Sequence, residues 1–255
     1  MTKSSMHILA ENRNILNLKN IVAGYGEILV LKEVSLNIPT DSIVTIVGAN
    51  GAGKSTLLKT VFGLIKPESG KIFYKGKDIT GASSLSLLKQ GISYVPQGRS
   101  NFPRMTVREN LEVGANSRSD DNINKDIDEL FDRFPILRKK EKKLAGTMSG
   151  GEQQILEMAM ALILNPKLLL IDEPSLGLSP IFVEMVFKTI LEINKNGVSI
   201  MMVEQNARKA LSVSDFGFVL ELGRNKIMGT GEDILNNPEV RRMYLGDNGK
   251  VDKCG

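Results

Sequence analysis

At 255 residues, with 42% hydrophobic and 24% charged content, the chain can bury the core of one large domain or of two coupled subdomains, and its composition is ordinary for a soluble globular protein. Its 33 basic and 29 acidic residues leave +4, a mild excess that suits a nearby anionic surface and gives no reason to expect a nucleic-acid partner. The lone cysteine, Cys254, excludes an internal disulfide and points to a reducing compartment; no signal peptide is visible, and no apolar run approaches the ~20 residues needed to cross a bilayer.

In chain order, residues 1–14 are polar and patternless and are expected to form a tail. Residues 15–23 and 30–38 alternate as strands do, with Gly24-Tyr25-Gly26 expected to turn between them. Residues 43–47 are a β-branched run suited to a buried strand. They lead into Gly48-Ala49-Asn50-Gly51-Ala52-Gly53-Lys54-Ser55-Thr56, which fits the G-x-x-x-x-G-K-[ST] pattern. Behind this loop, residues 55–64 carry Leu57, Leu58, Val61 and Phe62 at helical spacing. A strand, a glycine turn and a helix N-terminus make an anion cradle. Gly48, Asn50, Gly51, Gly53, Lys54, Ser55 and Thr56 are the expected nucleotide contacts. Lys54 brings a mobile point charge to the phosphates, and Ser55 offers a hydroxyl to Mg²⁺.

Residues 71–74 and 78–79 read as a hairpin over Lys75-Gly76-Lys77, and residues 92–95 as a short strand ending at Pro96-Gln97. From 107 to 164 the pattern is helical. Ile123, Ile127, Leu130, Phe131 and Phe134 line one face of an amphipathic helix that Pro135 ends. The basic run at 138–143 reads as a solvated helix end. Residues 167–172 and 198–203 are buried-looking strands on either side of a helix, in βαβ style. Residues 219–222 and 226–228 close a late hairpin over Gly223-Arg224-Asn225. With no internal repeat, the chain reads as one nucleotide-binding unit over 15–246, interrupted by a helical insertion at about 98–165, with a second tail at 247–255.

Two further segments carry chemistry. Leu168-Leu169-Leu170-Ile171-Asp172-Glu173-Pro174 is an apolar strand that delivers adjacent carboxylates at its C-terminal edge, where open α/β sheets bind ligands. Asp172 would hold Mg²⁺ through water and Glu173 would polarise an attacking water, the two duties that phosphoryl transfer demands. Thr147-Met148-Ser149-Gly150-Gly151-Glu152 opens a long helix, and Ser149 and Glu152 fit a capping box. Capping needs no paired glycines, however. Gly150-Gly151 would bare the helix amides to a second phosphate, belonging to another molecule's nucleotide.

The phosphate loop, Gln97 after a strand, Ser149-Gly150-Gly151-Glu152-Gln153-Gln154 and Ile171-Asp172-Glu173-Pro174, in that order, resemble an ABC-type ATPase. The resemblance implies an α/β P-loop NTPase core with an antiparallel β subdomain and an inserted α-helical subdomain. It further implies head-to-tail pairing with a second ABC ATPase subunit, two ATP molecules being sandwiched between phosphate loops and Ser-Gly-Gly helix starts. By the same resemblance Tyr25 stacks on adenine, and Gln97 senses Mg²⁺ and links the nucleotide to a membrane partner.

Residues 102–111, 173–180, 203–206 and 237–246 are similar to the ATPases of branched-chain amino-acid importers, and urea-importer ATPases share much of this. The implied function is ATP-driven import of branched-chain or related hydrophobic amino acids, from the cytoplasmic side of the membrane. The implied partners are integral-membrane permease subunits and, indirectly, an extracytoplasmic solute-binding protein. A helical segment near 85–110 would hold a groove for the permease's coupling helix. Alternatives are an ATPase of a urea or amide importer, a soluble ABC ATPase, and a nucleotide-binding regulator without turnover.

The chain departs from the wider family at several positions. Gln205 stands where a switch histidine is usual, and the only histidine, His7, lies in the N-terminal tail. Because glutamine cannot titrate near neutrality, the base role falls to Glu173 and a positioning role to Gln205. Glu152, Ser179 and Met160 replace a commoner glutamine, aspartate and arginine.

Overall fold

The structure, a computed structural model, describes residues 14–118 and 120–244. The chain opens with β1 (Asn14–Tyr25), β2 (Ile28–Pro39), β3 (Ile43–Val47), α1 (Lys54–Val61), β4 (Ser69–Tyr74), β5 (Lys77–Asp78), α2 (Ser84–Gln90) and β6 (Ile92–Val95). A helical stretch follows, with α3 (Val107–Gly114), α4 (Ile123–Arg133), α5 (Pro135–Arg138) and α6 (Gly150–Leu162). The chain then runs through β7 (Leu168–Asp172), α7 (Pro180–Lys195), β8 (Ser199–Val203), α8 (Ala207–Ser212), β9 (Phe216–Glu221), β10 (Arg224–Thr230), α9 (Gly231–Asn236) and α10 (Pro238–Tyr244). None of these helices is long and apolar enough to cross a membrane.

Two sheets form. One is antiparallel in the order β2-β1-β4-β5; the other runs β10-β9-β3-β8-β7-β6, parallel except for β10. Every residue of β3, β7 and β8 is buried, as expected of parallel strands covered on both faces. Alternate side chains feed two cores. Leu168, Leu170, Met201 and Val203 pack with Leu57 and Leu58 of α1 and with Leu16, Leu18, Val34 and Ile38 of the antiparallel sheet. Leu169, Ile171, Ile200 and Met202 face the other way, toward Leu111, Phe131, Leu156 and Phe187 of α3, α4, α6 and α7. The helical stretch therefore shares one core with the sheet's second face.

Several boundaries differ from expectation. The first hairpin turns at Gly26-Glu27, with Tyr25 still in β1 opposite Ile28. The second turns at Lys75-Gly76, so that Lys77 pairs with Tyr74. The last turns at Leu222-Gly223, both with positive φ (48° and 79°), and Arg224 and Asn225 already belong to β10. Helix α1 stops at Val61, short of Leu64. Pro135 ends one helix and also begins α5, at whose N-terminus its missing N–H is not needed. Residues 85–110 are not one helical segment: they hold most of α2, strand β6, a loop and the start of α3. Asn14 lies in β1, paired with Pro39; the rest of the expected tails, at 1–13 and 247–255, lies outside the described residues.

The parallel order β3-β8-β7-β6 positions the chemistry. The C-terminal ends of these strands sit side by side, and each leads into a candidate segment: Gly48 after β3, Gln205 after β8, Asp172-Glu173 at the end of β7, and Gln97 after β6.

Candidate nucleotide site

The phosphate loop ends at Gly53, whose φ is 103° and where a Cβ would lie 2.9 Å from Leu31 Cδ2. The backbone conformation favours glycine there, and any Cβ would also have to displace the Leu31 methyl. Lys54 is buried, and its Nζ donates to the carbonyl oxygens of Gly48 (2.9 Å) and Ala49 (3.3 Å) and lies 3.7 Å from Glu173 Oε1. Ser55 Oγ donates to Asp172 Oδ1 at 2.9 Å, although 117 residues separate them. Tyr94 from β6 donates its hydroxyl to the other oxygen, Oδ2, at 3.1 Å. Gln97 Nε2 donates to Glu173 Oε2 at 2.8 Å. Glu173 itself sits at φ 48°, a left-handed conformation that non-glycine residues seldom adopt and that often marks functional positions.

These groups enclose a cavity of about 520 Å³, lined by Asn50, Gly51, Gly53, Lys54, Ser55, Thr56, Gln97, Glu173 and Gln205 together with Val30 and Leu176. Seven expected residues lie outside that lining: Ser149 to Glu152 at the start of α6, and Gly48, Asp172 and Tyr25, which differ in placement. Gly48 contributes a carbonyl to Lys54. Asp172 is 1% exposed behind Ser55. Tyr25 is 51% exposed at the end of β1.

Burial holds the Asp172 carboxyl above the usual aspartate range, against the hydrogen bonds from Ser55 and Tyr94 that favour its ionised form. Burial likewise raises Glu173, opposed by the Lys54 charge and assisted by Asp172 and Glu204. Asp172, Glu173 and the buried Glu204 thus crowd negative charge against Lys54, with Lys59 also acting on Asp172. Ser55 Oγ and Asp172 Oδ1, adjacent hard oxygen donors, fit Mg²⁺ with a small protein ligand set.

The start of α6 is built as a capping box: Glu152 N donates to Ser149 Oγ (3.4 Å) and Ser149 N to Glu152 Oε2 (2.9 Å). Lys140 Nζ binds both Glu152 oxygens, at 2.7 and 2.6 Å. At Gly151 a Cβ would meet Phe182 Cδ1 at 2.3 Å, so packing favours glycine there; at Gly150 the nearest atom is Leu178 Cδ2 at 3.4 Å. None of residues 149–152 lines the cavity around the phosphate loop.

Sequence reasoning missed Tyr94, Lys140 and Glu204. Glu204 is 1% exposed and accepts from Ser175 N (2.8 Å) and Asn206 N (3.0 Å), joining the segments after β7 and β8. A signal for it existed, since it follows an apolar strand just as Asp172 ends one. Tyr94 and Lys140 had none, because their partners are brought to them only by the fold.

A sequence-family profile described as "ABC transporter" matches residues 31–176. The high-affinity branched-chain amino acid transport ATP-binding protein BraG of Pseudomonas aeruginosa is 44% identical over 232 residues, spanning 91% of this chain and 100% of that protein. The probable branched-chain amino acid transport ATP-binding protein LivF of Archaeoglobus fulgidus is 40% identical, over 88% of this chain and 95% of its own length. Among solved structures, a nucleotide-free ATP-binding cassette from an ABC transporter superposes with a TM-score of 0.82 at 28% identity, covering 91% of this chain and 98% of that one. Another cassette, in its ADP conformation, gives 0.82 at 29%, over 91% and 99%. Full-length likeness of this kind, on top of a phosphate loop whose serine meets the carboxylate at the end of β7, places the molecule: the chain belongs to the ABC transporter family, among its ATP-binding subunits.

Proposed function

We propose that this chain is the ATP-hydrolysing subunit that powers import of branched-chain or related hydrophobic amino acids. As an ABC ATPase it binds ATP. The observation that carries the hydrolytic reading is the arrangement at the strand ends, with Ser55 on Asp172 and Gln97 on Glu173. The cargo rests on the relatives at 44% and 40% identity, both named for branched-chain amino acid transport. The lipopolysaccharide export ATP-binding protein LptB of Haemophilus influenzae, at 35%, is less similar.

In this reading the loop amides from Gly48 to Thr56 and the Lys54 ammonium hold the β- and γ-phosphates, and Tyr25 stacks on adenine. Ser55 and Asp172, with Gln97, hold Mg²⁺, whose charge neutralises the phosphate oxygens when it is bound. Gln97 and Lys54 fix the Glu173 carboxylate in one orientation. Glu173 takes a proton from water as the water oxygen attacks the γ-phosphorus, and the electrons of the breaking P–O bond leave with ADP. Burial favours such a base by lifting its proton affinity toward the working pH. Gln205 steadies the γ-phosphate. Residues 149–152 serve the nucleotide of a second ATPase subunit, and the pair docks on permease subunits from the cytoplasmic side, an extracytoplasmic binding protein delivering the solute.

The test is Mg²⁺-dependent ATP hydrolysis across a protein concentration series, beside Glu173→Gln. Turnover should rise more than linearly with protein and vanish in the variant, which still binds ATP. A variant that hydrolyses at the wild-type rate refutes the base assignment. Stimulation by leucine, isoleucine or valine in vesicles carrying the permease and binding protein supports the cargo; stimulation by urea alone overturns it.

A further inference from the structure

Glu157 lies in the middle of α6 between Leu156 and Met158, and is 3% exposed. A carboxylate in such a place needs strong partners, because burial strips it of water. No ion pair to it is found among the described residues. Its Oε1 instead accepts three hydrogen bonds from a single loop: Ser100 N at 2.8 Å, Asn101 N at 3.3 Å and Asn101 Nδ2 at 2.7 Å. Its Oε2 is buried without a hydrogen-bond partner among the described residues. Burial outweighs the three donors and holds the carboxyl above the usual glutamate range. An apolar residue would pack here with less desolvation, so the carboxylate is in place for the loop it grips.

That loop begins at Gln97, whose amide rests on Glu173. From the grip the contacts continue. Asn101 Nδ2 also reaches Gln153 Oε1 at 3.4 Å, and Gln153 Nε2 donates to Met148 O at 2.8 Å, one residue before Ser149. Beyond the grip, Phe102 N is held by Asn110 Oδ1 at 2.7 Å. Side chains of α6 and α3 thus clamp residues 100–102 just past the glutamine that touches the candidate base.

We propose that Glu157 is a positioning residue for ATP hydrolysis: by clamping residues 100 and 101 to α6 it fixes Gln97 against Glu173 and ties that contact to the helix that starts at Ser149. The inference rests on the reading of Glu173 as the base. It goes beyond that reading in assigning Glu157 an effect exerted only through Gln97.

The experiment is steady-state ATP hydrolysis by the full chain, comparing wild type, Glu157→Ala, Glu157→Gln, Asn101→Ala, Gln97→Ala and the two double variants that add Gln97→Ala. Glu157→Ala should lower kcat about tenfold and leave KM for ATP within about twofold. Glu157→Gln, which keeps an oxygen to accept the three bonds, should recover most of the rate. Asn101→Ala removes one of the three donors from the far side of the contact and leaves α6 untouched, so it should show a smaller fall of the same kind. In the Gln97→Ala background neither Glu157→Ala nor Asn101→Ala should lower kcat further, as expected of residues acting in one line. Equal fold losses with and without Gln97 would overturn the proposal, as would a rise in KM that accounts for the loss. Failure of the base assignment is read separately, from Glu173→Gln turning over at the wild-type rate, while the coupling between positions 157 and 97 stays measurable.

Discussion

Gly151→Ala asks why the helix that begins at Ser149 opens on two glycines. A Cβ at Gly151 would lie 2.3 Å from Cδ1, 2.4 Å from Cγ and 2.5 Å from Cβ of Phe182. Swinging the Phe182 ring aside relieves the first two contacts. It cannot relieve the third, because Cβ is fixed to the α7 backbone. Bringing that pair to an ordinary separation forces α6 and α7 apart by about 1 Å, and overpacking on this scale costs about 1–3 kcal/mol. Alanine's better helix propensity offsets up to about 1 kcal/mol of this. A net loss of about 1–2 kcal/mol lowers the melting temperature of a chain this long by about 2–8 °C. The assay is thermal unfolding of Gly150→Ala, Gly151→Ala, Phe182→Ala and the Gly151→Ala/Phe182→Ala pair. Gly150→Ala, whose nearest new contact is Leu178 at 3.4 Å, should be nearly neutral. Gly151→Ala should destabilise less once Phe182 is truncated to alanine, because the two ring contacts go while the 2.5 Å contact with the Cβ at position 182 stays. A melting point unchanged by Gly151→Ala refutes the packing argument and leaves phosphate access as the reason for the glycine.

Asp172→Asn should separate stability from activity. Because burial raises the native pKa of Asp172, the folded chain binds that proton more tightly than the unfolded one. Stability from this group therefore falls as pH rises from the ordinary aspartate value through the raised native one, and stays lower at neutrality. Asparagine keeps an oxygen for Ser55 and carries no charge. The nucleotide-free variant should accordingly melt above wild type at pH 7, the gap closing as pH drops below about 4, while turnover falls about a hundredfold or more. A variant less stable than wild type at pH 7 refutes the sign. Ser149→Arg should fill the start of α6, abolishing ATP-driven dimerisation on a sizing column while sparing ATP binding to the monomer; unchanged dimerisation would sink the two-subunit sandwich.

What was legible in the sequence, and what was not, divides along a physical line. The phosphate loop could be read because one local spacing fixes all its amides at once. Asp172 and Glu173 could be read because β7 is apolar until it reaches the sheet edge. Turn registers were off by a residue or two because Lys75 and Leu222 both take φ 48° without being glycine or asparagine. Their pairings, Tyr74 with Lys77 and Glu221 with Arg224, are set by cross-strand contacts and not by turn chemistry. The helical segment near 85–110 that the family resemblance implies is broken by β6, a strand that its own apolar run at 92–95 indicates and that pairs with β7. Tyr94 shows the limit most clearly. Its register against β7, opposite Leu170, brings a phenol to Asp172 across 78 residues. No pattern within β6 records that destination. Glu157 and Lys140 follow the same logic, each a charged side chain that looks solvated or misplaced until the fold supplies its partner. Motif spacing identifies the candidate phosphate contacts of residues 48–56 because they share a loop. The groups that hold those side chains in place come from different elements, and only the topology of the sheet and its helices says which elements meet.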